Sequence, residues 1–230
     1  MACLRVRAML RWLGMIEDFL FPEPLYCPLC GEQPLDFLEC CGKCLAQLGI
    51  DWKLRPVGSR LTGSLFVYRD YGREVVQQLK FHGGYRTAVA VGALLGRALR
   101  ETPEFAEVEL LVPVPLHPAR ERRRGFNQAE ALAHGIRSQW PRPLFHGLVR
   151  VRDTPAQSGL SLEERRSNVR RAFAVVTDVA LAGKRCLVVD DVMTSGSTFE
   201  GVAGVLESLG AVCLGVSAAR AVLEKNPSQC

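Results

Sequence analysis

Thirteen consecutive residues constrain the fold of this chain more than any other stretch. Cys186-Leu-Val-Val-Asp190-Asp191 is an apolar run ending in two acids, and Val-Met-Thr194-Ser195-Gly196-Ser197-Thr198 follows it. The run reads as a buried strand over 186–189, a polar loop carries the chain over, and a helix is expected over 198–209. The same alternation recurs along the chain. Short strands are expected over 65–68, 110–114, 148–150 and 212–216. Helices are expected over 74–81, 87–100 and 127–136, with one or two helical turns over 161–166. Strands alternating with helices predict an α/β fold, an open and mostly parallel sheet flanked by helices. With 48% hydrophobic and 23% charged residues, a chain of 230 can bury such a core and is not disordered.

The 186–198 segment also carries chemistry. In an open α/β sheet, ligands bind at the carboxyl ends of strands, where this loop falls. Its successive backbone N–H groups, the start of a helix dipole and the hydroxyls of Thr194, Ser195, Ser197 and Thr198 form an anion cradle. The dipole contributes about 0.3–1 kcal/mol. Hydrogen bonds to a charged group contribute about 1.5–3 kcal/mol each, so the donors dominate. Gly196 lets the backbone approach a phosphate closely. Asp190 and Asp191 would repel phosphate, but they suit the 2- and 3-hydroxyls of a ribose whose 5-phosphate fills the loop. The competing reading is a helix capped by Ser197 or Thr198, which explains one hydroxyl and leaves the acid pair without a role. No G-x4-G-K-[ST], strand-following G-x-G-x-x-G, H-E-x-x-H or G-x-S-x-G occurs.

Nine cysteines are present, and five crowd into residues 27–44. Cys27, Cys30, Cys41 and Cys44 have the spacing C-x2-C-x10-C-x2-C. Four thiolates fill a tetrahedral zinc site and leave no open position, so the expected role is structural. Cys40 is an alternative to Cys41 as third ligand, although the x2 spacing favours Cys41. The odd total argues against a disulfide framework. A redox pair is disfavoured because neither C-x-x-C opens a helix after a strand. Residues 1–56 are expected to form an N-terminal amphipathic helix and a zinc-ribbon-like module, and residues 57–230 the α/β domain.

Net charge is +5, unevenly placed: twelve Arg and five acids lie between His117 and Arg171, where every cation is Arg. That stretch is suited to phosphate oxygens. Its aromatic residues are Phe126, Trp140 and Phe145, few for a base-stacking platform. No run of 18 apolar residues occurs, and acids interrupt the apolar N-terminal segment, so a cytoplasmic protein without membrane insertion is expected.

Four segments together resemble the ComF (competence protein F) family within the type I phosphoribosyltransferase superfamily. They are the 188–198 loop, the four-cysteine module, Leu111-Val-Pro-Val-Pro-Leu-His117 with Arg124-Gly-Phe-Asn-Gln128, and Arg152-Asp-Thr-Pro-Ala-Gln157 with its continuation through Leu160-Ser, Glu164-Arg-Arg and Asn168-Val-Arg. The resemblance covers about residues 27–220. It implies phosphoribosyl pyrophosphate (PRPP) bound with Mg2+, which pyrophosphate and ribose hydroxyls would mainly ligate. It further implies phosphoribosyl transfer to a nitrogen acceptor. Asp190 and Asp191 would fix the sugar, and Thr194, Ser195, Gly196, Ser197 and Thr198 would hold the 5-phosphate. Val114, Pro115, Leu116 and Arg124 would cradle pyrophosphate. Arg152, Gln157 and Arg165 would lie on a loop closing over it. Lys80, in Leu-Lys-Phe-His-Gly, is a candidate cation for the site but reads more readily as a surface lysine, and His82 and His117 as structural or loop histidines before bases. The place where such enzymes carry an acceptor-gripping hood is held by the zinc module, with Tyr26, Phe37 and Trp52. The resemblance implies a DNA uptake context, and the alternative is a non-catalytic module for single-stranded DNA or DNA-processing proteins.

Overall fold

The computed structural model describes residues 26–33, 35, 39–81, 84–151, 172–177 and 179–221. The expected N-terminal helix, the helical turns over 161–166, and Arg152, Gln157, Arg165, Phe37 and His82 lie outside them. The chain runs α1 (Gly42–Leu48), β1 (Lys53–Val57), β2 (Arg60–Val67), α2 (Asp70–Gln78), α3 (Gly84–Arg100), a 3-10 turn (Pro103–Phe105) and β3 (Leu110–Pro113). It continues through α4 (Pro118–Arg124), α5 (Gln128–Gln139), β4 (Leu148–Arg150), β5 (Phe173–Val175), β6 (Arg185–Met193), α6 (Ser197–Glu207) and β7 (Val212–Arg220).

Five strands form one sheet in the order β1-β2-β7-β6-β3. Strands β2, β7, β6 and β3 are parallel, and β1 closes the edge as an antiparallel hairpin on β2. The parallel strands are buried on both faces, as their continuous apolar runs require. Leu111, Leu187, Val189, Leu214 and Val216 pack under α2, α3 and α5. Val112, Cys186, Val188 and Cys213 pack under α6, beside the small β4–β5 hairpin. β1 spans the boundary expected near residue 56, and the described cysteine module shares the core under α2 and α3.

Helices α3 and α5 meet at two glycines. A Cβ on Gly92 would lie 2.1 Å from the Leu132 carbonyl oxygen, and one on Gly135 would lie 2.1 Å from that of Val89. Backbone sets this separation, so it cannot yield as a side chain would. Gly92→Ala is expected to cost about 1–3 kcal/mol of unfolding free energy in urea. An unchanged urea midpoint would mean the helix pair adjusts without strain.

Candidate functional site

Strand β6 runs through both acids. The expected strand ended at Val189, but β7 continues alongside, pairing Asp190 with Ser217 and Val192 with Ala219, while β3 has already left after Pro113–Val189. The acids therefore sit where one neighbouring strand has stopped and the other persists. Side chains alternate along a strand. Asp190 shares the side of Val188, toward α6, and Asp191 shares that of Val189, toward α5. Both are buried. Asp190 Oδ1 accepts the Asp191 N–H at 2.8 Å, and Asp191 Oδ1 accepts the Val192 N–H at 2.9 Å. Burial, and then the neighbouring Asp191 charge, pushes Asp190 well above the ordinary carboxylate range.

Helix α6 opens directly after this strand. Its N-cap is Gly196, with no side-chain cap, rather than Ser197 or Thr198. Gly196 has φ +77°, and a Cβ there would lie 2.5 Å from Val57 Cγ1, so both conformation and space call for glycine. Ser195 and Ser197 hydroxyls lie 2.8 Å apart, and Ser195 Oγ accepts the Ser197 N–H at 3.4 Å. The two hydroxyls thus sit together at the uncapped start of the helix. On the other side of β6, Val114 N–H bonds the Val189 carbonyl at 2.9 Å and opens the turn through Pro115 and Leu116. Asn127 Nδ2 donates to the Val114 carbonyl at 3.1 Å while its Oδ1 caps α5 through the Ala129 N–H. His117 is itself a cap, accepting the Ala119 N–H at the start of α4. The structure thus brings the acid pair, the 194–198 loop and the 114–116 turn to the same edge of the sheet.

The Sγ atoms of Cys27, Cys30, Cys41 and Cys44 all lie within 4.8 Å of one another, with Cys30 and Cys41 3.9 Å apart. A tetrahedron of thiolates at about 2.3 Å from zinc has edges near 3.8 Å, so the set fits the ion. The Cys41 N–H donates to Cys27 Sγ, and the Cys44 N–H to Cys41 Sγ. Backbone N–H groups of Glu32 and Gln33 lower the Cys30 thiol to about 7. Cys40 stands outside the four, and burial raises its thiol to about 11. Cys41 also caps α1, so the second C-x-x-C opens a helix, but among the described residues no strand leads into it. The cap is a sulfur, outside the Ser/Thr/Asp/Asn set that marks helix starts in sequence.

No protein-family model matches the chain. Competence protein F of Haemophilus influenzae is 32% identical over 190 residues, covering 80% of this chain and 80% of that protein. The chain belongs to the competence protein F family. DNA utilization protein YhgH of Salmonella typhimurium is 32% identical to this family member, covering 83% of this chain and 81% of that protein. Competence protein ComFC of Bacillus subtilis is 29% identical, covering 80% and 72%. Among solved structures, glutamine PRPP amidotransferase from B. subtilis is similar at 21% identity and TM-score 0.41, over 62% of this chain and 30% of that chain. Adenine phosphoribosyltransferase from Saccharomyces cerevisiae is similar at 13% identity and TM-score 0.38, over 79% and 90%.

Two residues of this competence protein F family member join the site from positions without an assigned role. Lys80, expected at the surface, places Nζ 3.5 Å from Asp191 Oδ2. Gln128 places Nε2 3.5 Å from the same oxygen, and its Oε1 accepts from Arg124 Nη1. Arg124 is half-buried, and desolvation lowers its pKa although the Asp191 charge opposes that. Gln128 ends the Arg124-Gly-Phe-Asn-Gln motif, which was the available signal. For Lys80 the sequence offers only its place after α2. Among the described residues no helix is long and apolar enough to cross a membrane.

Proposed function

We propose that this protein binds PRPP with Mg2+ at the carboxyl edge of the sheet and transfers its phosphoribosyl group to a nitrogen acceptor. One observation carries the reading: a buried acid pair stands between a hydroxyl-rich loop at a helix start and a Pro-flanked turn beside Arg124. The 5-phosphate occupies residues 194–198, and the pyrophosphate faces Val114, Pro115, Leu116 and Arg124. Asp190 and Asp191 hold the ribose hydroxyls. The acceptor nitrogen forms a bond to ribose C1, and the C1–O bond to pyrophosphate breaks with its electron pair leaving on oxygen. The nitrogen's proton passes to water. Lys80 and Arg124 neutralise the departing charge, and the protein acts by positioning and electrostatics. Mg2+, held mainly by the pyrophosphate and ribose hydroxyls of the substrate, would supply charge neutralisation of the leaving group. The loop carrying Arg152, Gln157 and Arg165 is assigned the closing role over pyrophosphate by the resemblance. Calorimetric titration of PRPP and Mg2+ into zinc-loaded protein tests binding, and pyrophosphate release across a panel of bases tests transfer. Absence of a binding heat rejects the reading.

A second reading rests on a surface patch and on relatives named for competence and DNA utilization. Trp140 and Phe145 are buried at 5% and 6% exposure, so neither can stack on a base. Phe126 instead meets Tyr85 edge-on at 5.8 Å, and Phe81 is nearby in sequence at 67% exposure. Arg86, Arg122 and Arg123 are exposed on the adjoining helices. Aromatic faces flanked by arginines suit single-stranded DNA. Tyr85→Ala is expected to weaken oligo-dT binding by about 1–3 kcal/mol. The logarithmic salt slope should be near −0.7 per phosphate contacted. Binding that is absent, or indifferent to salt, rejects this reading.

A further inference from the structure

Gln128 stands where two helices meet. Helix α4 ends at Arg124, and Gly125 follows with φ +87°, a left-handed turn that redirects the chain. Asn127 then caps α5, of which Gln128 is the first residue. That helix start is held firmly. Asn127 ties it to the Val114 carbonyl, and Gly92 and Gly135 seat the rest of α5 directly on the backbone of α3. Gln128 is 6% exposed, so protein groups rather than water fix its amide.

Those groups also set the direction of the amide. Gln128 Oε1 accepts from Arg124 Nη1, and Nε2 lies 3.5 Å from Asp191 Oδ2. A guanidinium has only donors, and a carboxylate accepts. The reverse orientation would set amide N–H groups against the guanidinium and the amide oxygen against the carboxylate. The side chain therefore has one polarity, oxygen toward Arg124 and N–H toward Asp191. A neutral amide is what this place calls for. Glutamate would crowd a second carboxylate beside Asp191. A cation would add to the like charges of Arg120 and Arg123 that already act on Arg124. Asp191 Oδ1 accepts the Val192 N–H, so Oδ2 is the oxygen that faces Gln128 and, at 3.5 Å, Lys80 Nζ.

We propose that Gln128 is a positioning residue that joins the two arms of the site: it holds Arg124 toward the leaving pyrophosphate and turns Asp191 toward the ribose. The inference rests on the PRPP reading and adds the residue that makes one connected unit of its two arms. Its main effect runs through Arg124, where the hydrogen bond is charge-assisted. Its effect through Asp191 is weaker, because that contact is longer. Support of this kind keeps a binding group in its productive geometry before the ligand arrives.

Calorimetric titration of zinc-loaded, full-length protein with two probes separates the arms: pyrophosphate with Mg2+, and ribose 5-phosphate. Gln128→Ala is expected to weaken pyrophosphate binding about tenfold and ribose 5-phosphate binding by about threefold at most. Arg124→Ala should weaken pyrophosphate at least as much. Adding Gln128→Ala to it should cause no further loss, because the amide then has no guanidinium to hold. Gln128→Met fills a similar space without the hydrogen bonds and should repeat the Gln128→Ala result, so it serves if the smaller side chain destabilises α5. Pyrophosphate binding within about twofold of the parent in both Gln128 variants overturns the inference and keeps the PRPP reading. A loss that persists in the Arg124→Ala background, or that is equal for the two probes, marks a merely structural role and overturns the inference too. A parent protein that binds neither probe rejects the PRPP reading, and the inference falls with it.

Discussion

Asp190→Asn/Asp191→Asn is expected to bind PRPP about 100-fold more weakly than the parent in calorimetric titration with Mg2+. Asparagine keeps the size and one acceptor oxygen of each acid but removes the charge that donating ribose hydroxyls favour on both acids in the complex. A charge-assisted hydrogen bond of about 1.5–3 kcal/mol becomes a neutral one of about 0.5–1.5 kcal/mol, roughly tenfold per acid. Stability should move the other way. Burial and the Asp191 charge hold Asp190 well above the ordinary carboxylate range, so folding favours its protonated form. Between the ordinary value and the raised one, the folded chain holds a proton that the unfolded chain has released. Stability therefore falls as pH rises across that window. Asp190→Asn alone removes the titration, so the ligand-free, zinc-loaded variant should melt higher than the parent at pH 7, by about 2–4 °C for each kcal/mol relieved. It should also lose the parent's decline with pH. Equal PRPP affinity in the double variant would remove the acids from the site. A lower Tm for Asp190→Asn would remove the claim that this carboxylate is held at a cost to stability.

The opposite directions of those effects explain what the sequence could and could not convey. The acid pair, the loop hydroxyls and Gly196 were legible because each residue type answers a chemical need within one contiguous segment. Strand ends were not. Asp190 and Asp191 look like a terminus, yet β7 carries Ser217 and Ala219 beside them and extends the ladder to Met193 and Arg220. β1 left no signal because an antiparallel edge strand tolerates Pro56 and exposed Arg55, so neither alternation nor an apolar run marks it. Helix α4 buries no residue and has no apolar period to read. Lys80, Gln128 and the pairing of Tyr85 with Phe126 come from chain folding between distant segments. The alignment of Ser64, Ser217 and Asp190 across three strands depends on a register that no local pattern encodes. The loop residues Arg152, Gln157 and Arg165 remain assigned by resemblance.

Cys44→Ala is expected to reduce bound zinc from about one ion per chain to near none and to lower stability by at least about 4 kcal/mol, the range in which losing a structural metal falls. The four thiols lie together on a segment with one short helix, α1, whose cap is the ligand Cys41. Such a segment has little regular structure of its own, and zinc binding in small modules contributes about 10–16 kcal/mol of folding free energy. The module is also tied to the α/β domain. Tyr71 Oη donates to Cys44 Sγ at 3.1 Å, Thr87 Oγ1 donates to the Pro28 carbonyl at 2.7 Å, and Arg97 pairs with Glu39 at 2.6 Å. Leu29 and Leu48 belong to the core that holds Val91 and Leu95, so loosening the module opens that core to water. Cys40→Ala separates coordination from packing. Cys40 is equally buried but lies outside the four thiols, so its loss should cost packing energy and leave the zinc content at one. Metal analysis with urea unfolding of the two variants decides the matter. Zinc retained by Cys44→Ala, or lost by Cys40→Ala, would overturn the assignment of ligands, and retained stability after zinc loss would show that the tethers to Tyr71, Thr87 and Arg97 hold the module without the ion.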